Sequence, residues 1–121
     1  MKETFFSLAF SVDNVILGFD DAQLKVLLIK RGEAPFNDYW ALPGALIFPN
    51  EDLDYSASRV LNELTGLRDV FLEQVYTFGN PDRHPNGRVI TVSYYSLINI
   101  QKLTNELILL IKKELSTKGK V

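Results

Sequence analysis

The chain contains no cysteine and a single histidine, which removes several chemistries before any motif is read. Without thiols there is no disulfide framework, no thiolate zinc site and no cysteine nucleophile, and one imidazole leaves few ways to assemble zinc from nitrogen ligands. Any metal would be held by oxygen. Positive charge is not in excess either. The 13 lysines and arginines stand against 15 aspartates and glutamates, a formal net charge of -2, so nothing draws the chain toward a phosphate backbone. No nucleic-acid binding is expected of this chain alone. Long apolar runs are also missing: MKETFFSLAFSVD is interrupted at Asp13, too early for a signal peptide or a spanning helix. The expectation is a cytoplasmic protein with no membrane partner. Repeats and low-complexity tracts are absent.

What is present is the balance of an ordinary globular chain. Hydrophobic residues make up 46% and charged residues 23% of 121 positions, enough to close one core but not two. A single domain over residues 1–121 is expected. FSLAFSVDNVILGF is rich in β-branched and aromatic residues, and Phe19-Asp20-Asp21-Ala22 supplies turn chemistry before QLKVLLIKR, which predicts a β-hairpin. GEAPFNDYWALPGALIFPNE, with Gly, Pro and Asn around short apolar pairs, predicts a long loop holding one or two short strands. Such loops in compact domains are commonly functional.

From Asp52 to Leu64, apolar Leu53, Ala57, Val60, Leu61 and Leu64 recur at helical spacing, with Asn50 or Asp52 as cap and Gly66 as a left-handed stop. VFLEQVYTFG and RVITVSYYSLINI predict neighbouring antiparallel strands joined through the irregular NPDRHPNG. TNELILLIKKEL predicts a second helix, capped by Thr104 or Asn105, with Lys112 and Lys113 placed to suit its dipole, before a frayed STKGKV. Hairpin, loop, helix, strands and helix make an α+β chain.

The stretch YWALPGALIFPNEDLDYSASRVLNELTGL resembles the Nudix box, G-x5-E-x7-R-E-U-x-E-E-x-G-U with U a bulky aliphatic residue. The register fits without a gap. Ala45 stands at the box glycine, Glu51 at the first glutamate, Arg59 at the arginine and Glu63 at one acid of the final pair. Leu61, Gly66 and Leu67 match as well, and Trp40 to Gly44 form the Trp-x-Leu-Pro-Gly that usually precedes the box. The resemblance runs from about Ser11 through Leu97. It implies a Nudix-type α/β/α sandwich with a mixed sheet.

The departures fall on the chemistry. In active members the helix glutamates hold divalent metal ions that bind a diphosphate and activate water, but two of those positions are Val60 and Leu64 here. Residues 60, 63 and 64 share one helical face by spacing and so are expected to turn toward one site. Magnesium wants an octahedron of hard oxygen ligands, which valine and leucine cannot supply. What is left is Glu63 as a residual catalytic and metal-ligating residue, with a weak metal site or none. The competing reading makes Val60 and Leu64 core residues and Glu63 a solvated one. The family pairs Glu51 with Arg59 as a structural brace, and that pairing is expected here without a metal.

FGNPDRHPNGRVITVSYYSL resembles the corresponding segment of ADP-ribose-directed Nudix enzymes and of Nudix-related transcriptional regulators, and RVLxELTGL resembles the degenerate box of those regulators. The resemblance implies a sensor module that binds ADP-ribose, a nucleoside-diphosphate sugar or a sugar, needs no cofactor for binding, and forms a homodimer. The alternative is a Mg2+-dependent Nudix hydrolase of ADP-ribose-like nucleoside diphosphate derivatives, working with Glu63 and Glu51. Two replaced acids imply an inactive or weak enzyme.

Lys30, Arg31, Arg83, His84 and Arg88 could form a cationic rim, with Trp40, Phe78 and Tyr76 as stacking faces. Solvated strand ends and an aromatic core are the plainer readings. His84 has no partnering motif for a triad. No C-terminal winged helix like that of the regulators is expected in these 121 residues, and from about residue 101 a divergent or truncated form of the family's continuation is expected.

Overall fold

The computed structural model describes residues 8–20, 23–30, 39–85 and 87–100. The second helix expected over TNELILLIKKEL, and Arg31, lie outside the described residues.

Alternation dictates the central strand. β1 (Ala9–Phe19) buries Val12, Asn14, Ile16 and Gly18 and leaves the residues between them half-buried or exposed, the period of a strand whose two faces differ. One edge of β1 is shared by two short strands. β2 (Leu24–Val26) pairs antiparallel with Leu17 to Phe19, completing the hairpin that the turn residues predict. β5 (Gly44–Leu46) pairs antiparallel with Ser11 to Asp13. The other edge runs parallel to β7 (Val89–Asn99) along its whole length, from Ala9 against Val89 to Phe19 against Asn99. β6 (Glu73–Phe78) closes the far side as the antiparallel neighbour of β7, with a bulge between Gln74 and Tyr76. The result is a five-stranded mixed sheet. β3 (Ile29–Lys30) and β4 (Trp40–Ala41) form a separate two-stranded sheet, with Lys30 opposite Trp40.

α1 (Leu53–Thr65) lies on one face of the large sheet and buries Ser56, Ala57, Val60, Leu61 and Thr65. Ala57 and Val60 pack with Val12, Val92 and Tyr94. Leu61 packs with Ile16, Leu27, Leu67 and Ile100. Asp52 is the N-cap, but its side chain makes no capping bond. The helix stops at Gly66, whose φ of 80° suits a residue without Cβ. Asn62 and Thr65 fasten that end, through Asn62 Nδ2 to Leu67 O at 3.3 Å and Leu67 N to Thr65 Oγ1 at 3.1 Å.

Leu64 departs from the periodic reading: it falls within the arc of the buried stripe yet remains 43% exposed. Spacing sets the direction of a side chain, while burial needs a neighbour to cover it, and no described residue covers Leu64 fully. Tyr94 is anchored beneath the helix, donating its hydroxyl to Asp54 Oδ1 at 2.6 Å. Burial, reinforced by that carboxylate, pushes the Tyr94 hydroxyl well above the ordinary tyrosine range. No helix among the described residues is long and apolar enough to cross a membrane.

Candidate functional site

The loop that enters α1 is held by one carboxylate. Glu51 Oε2 accepts from Arg59 Nε at 2.5 Å, and Oε1 accepts from Arg59 Nη2 at 2.9 Å, Ser56 Oγ at 2.8 Å and Phe48 N at 3.1 Å. Its side chain is only 7% exposed. The Arg59 guanidinium, foremost, holds the carboxyl down to about 2. Arg59 in turn is raised by the same hydrogen bond. Its remaining contacts are Glu63 Oε2 at 3.1 Å, the Leu46 carbonyl at 3.5 Å and the Phe48 ring, 4.2 Å from the guanidinium carbon.

This arrangement is a poor fit to a magnesium ion. Glu63, 59% exposed at its side chain, already shares Arg59. Glu51 spends both oxygens on four internal donors. Val60 is fully buried among Val12, Ala57, Val92 and Tyr94. The three helical positions that spacing places on one face therefore do not open onto one site: Val60 faces the sheet, while Glu63 and Leu64 meet solvent. Among the described residues no three His, Asp or Glu side chains gather as a potential metal-binding group. As placed here, Glu51 and Glu63 offer magnesium few of the hard oxygen ligands it takes. A groove of about 440 Å3 runs beside α1 with Arg59, Glu63 and Arg68 in its wall, and none of the other candidate ligand residues lines it.

The Gly-Pro loop reaches the sheet through Gly44. A Cβ at Gly44 would stand 2.0 Å from Asp13 Oδ1 and 2.7 Å from the Val12 carbonyl, so only glycine lets β5 lie this close to β1.

A second group gathers where β6 meets β7. Arg83 lies 5.9 Å above the Phe78 ring, at the outer range of a cation–π contact, and Tyr76 meets Phe78 edge-on at 4.8 Å. Arg83 Nη2 donates to the Val89 carbonyl at 3.4 Å and to Thr91 Oγ1. Arg88 Nη2 donates to the Gly79 carbonyl at 2.9 Å. Phe78, Arg83 and Arg88 are thus brought together, and each remains exposed. Lys30 and Trp40 form another pair, side by side on the small sheet. His84 is half-buried and engaged.

Sequence reading misses what joins the Phe78 and Arg83 group to the box. Directly paired residues on neighbouring strands share a face, and Phe78, Thr91, Ser11 and Leu46 are successive partners across β6, β7, β1 and β5. This row points away from α1, since Val12 and Ile16 point toward it. At one end Arg83 lies over Phe78, and at the other Arg59 reaches the Leu46 carbonyl. Three strand spacings make the row roughly 14 Å long. Ser11 and Thr91 carry no local motif that would have marked them.

Residues 9–116 match the family described as NUDIX domain. The ADPR responsive transcriptional repressor NtrR of Acinetobacter baylyi is 43% identical over 75% of this chain, and the ADP-ribose pyrophosphatase of Methanocaldococcus jannaschii is 34% identical over 71%. The aligned regions span 37% and 48% of the lengths of those two relatives. The NUDIX domain of Shewanella oneidensis NrtR, solved in complex with ADP ribose, superposes with a TM-score of 0.74 at 36% identity, covering 82% of this chain and 66% of that one. With the box register on α1, the mixed sheet beneath it and a family match over most of its length, the chain belongs to the Nudix family.

Proposed function

We propose that this Nudix domain is a ligand-binding sensor module of a transcriptional-regulator type protein, with ADP-ribose or a related nucleoside-diphosphate sugar as its ligand and no metal needed for binding. The observation that carries this reading is the state of the box positions: Val60 is core, Glu51 is consumed by Arg59, Ser56 and Phe48, and Glu63 is paired with Arg59 at the surface. With no group of three acids gathered among the described residues, a diphosphate is held in this reading through side chains, and Phe78, Arg83 and Arg88 offer a stacking face and two fixed cations. Relatives described as an ADPR responsive repressor and as an ADP-ribose complex support the ligand class. In this reading the domain works as a homodimer in the cytoplasm, and DNA contact belongs to another part of a regulator. The degree of association can be read by light scattering.

The second reading is a weak Mg2+-dependent hydrolase using Glu63 with Glu51 as support. It draws on the 34% identity to an ADP-ribose pyrophosphatase and on the exposure of Glu63. Calorimetric titration with ADP-ribose, with and without magnesium, alongside a turnover assay, separates the two. The sensor reading expects equal binding in both buffers and no turnover. Steady magnesium-dependent hydrolysis that Glu63→Gln abolishes would replace it with the hydrolase.

A further inference from the structure

The hydroxyls in the middle of the cross-sheet row have a defined direction. An arginine guanidinium can only donate, so Thr91 Oγ1 accepts from Arg83. Thr91 is 4% exposed, and its own hydroxyl hydrogen needs an acceptor inside the protein. Ser11 Oγ, 2.7 Å away, is the acceptor present. The opposite polarity, with Ser11 donating, would strand the Thr91 hydrogen in a buried position, a loss the observed geometry avoids. The chain therefore runs from Arg83 to Thr91 to Ser11. It ends with the Ser11 hydrogen unspent on any described residue, on a half-buried side chain. Each hydroxyl in a chain that starts at a cation is polarised by the one before it, which strengthens the last donor.

Resting on the ADP-ribose reading, we propose that Ser11 is a ligand-contacting donor for a phosphate oxygen of the diphosphate and that Thr91 is the positioning residue that fixes it. The placement supplies the ligand chemistry. Ser11 lies between the Phe78 and Arg83 end of the row, suited to a flat base, and the Leu46 and Arg59 end beside the box helix. In a molecule built as base, ribose, diphosphate and ribose, the group at the middle is the diphosphate. A neutral hydroxyl turned into a strong donor by a relay through buried Thr91 contributes to anion binding without placing another full charge in the sheet.

The test is titration of ADP-ribose into the parent chain and into Ser11→Ala, Thr91→Val and Thr91→Ser, with 31P NMR of the bound diphosphate. Ser11→Ala and Thr91→Val should each weaken binding about ten-fold. Ser11→Ala should also shift a phosphorus resonance of the bound ligand. Thr91→Ser, which keeps the hydroxyl, should restore affinity to within about three-fold of the parent. Rescue by Thr91→Ser shows that the hydroxyl and not the methyl acts, and Ser11→Ala with the 31P shift separates a relay to the ligand from a hydroxyl that only supports Arg83; if Thr91→Val fails to fold, the same two readouts decide the matter. Parent-like binding by Ser11→Ala, with unmoved phosphorus signals, overturns the inference and leaves the ADP-ribose reading standing. A parent chain that does not bind ADP-ribose overturns both.

Discussion

Arg59 grips Glu51 with two prongs across eight residues of chain, Nε to Oε2 at 2.5 Å and Nη2 to Oε1 at 2.9 Å. The same guanidinium lies over Phe48 and reaches Glu63, so a single side chain ties the loop before α1 to the helix itself. Arg59→Lys keeps the charge but loses the fork. Its melting temperature should fall by roughly 5 °C. Glu63→Gln, which touches only an exposed carboxylate, should melt within about 1 °C of the parent. Circular-dichroism melts compare the two, and equal melting would mean that the loop is held by its other contacts.

Acid should unfasten the same pair. Glu51 is drawn down from 4.5 to about 2 by Arg59, so its contribution to stability is complete above its unfolded value and is lost as pH falls from about 4.5 toward 2. Chemical denaturation repeated through that window should show a loss of stability that is markedly smaller in Glu51→Gln. If the two proteins lose stability in parallel, Glu51 is not the titrating group.

Returning acids to the box should have opposite outcomes at its two altered positions. Val60 is sealed in the core with Val12, Ala57, Val92 and Tyr94, and a carboxylate placed there has no partner. Val60→Glu should cost about 3 kcal/mol or more in urea denaturation. Leu64 is partly open to solvent, so Leu64→Glu should stay within about 0.5 kcal/mol of the parent. A stable Val60→Glu protein that binds magnesium would show that α1 can turn this position outward.

Ligand affinity should depend on the β6–β7 loop and be indifferent to magnesium. Arg83→Ala removes both the cation over Phe78 and the donor to Thr91, and ADP-ribose binding should weaken about ten-fold or more. Arg88→Ala should act in the same direction. Raising ionic strength should weaken binding of a diphosphate and leave a neutral pentose nearly unaffected. Calorimetry at two salt concentrations reads both effects. Insensitivity to salt and to both substitutions would move the ligand class to a neutral sugar.

What the sequence made legible was whatever one segment could encode. α1 was readable because Leu53, Ala57, Val60 and Leu61 repeat at helical spacing and Gly66 ends the run. Phe78, Arg83 and Arg88 fall together because they lie on one strand and the loop that follows it. Leu64 was misplaced because spacing reports angle and not cover. The parallel seam between β1 and β7 was hidden because no local signal names a partner so far along the chain, and the Ser11 and Thr91 hydroxyls were hidden with it. The engagement of Arg83 with Val89 and Thr91 was likewise invisible, since residue type gives a donor or an acceptor but not its partner, whereas the Glu51–Arg59 pair was expected through the family resemblance alone.

The seam between β1 and β7 joins residues 80 positions apart, and that separation becomes a delay when the chain is made. Ribosomal synthesis at roughly 5 to 20 residues per second leaves about 4 to 16 s between the two strands. During that interval β2 and β5 can occupy one edge of β1, but the other edge, on an 11-residue strand containing Val12, Val15, Ile16 and Leu17, has no partner. An open apolar edge is a template for pairing with another chain. Newly made copies of this domain are therefore most vulnerable to association before β7 arrives, and molecules caught in that interval lack the Ser11–Thr91 contact altogether.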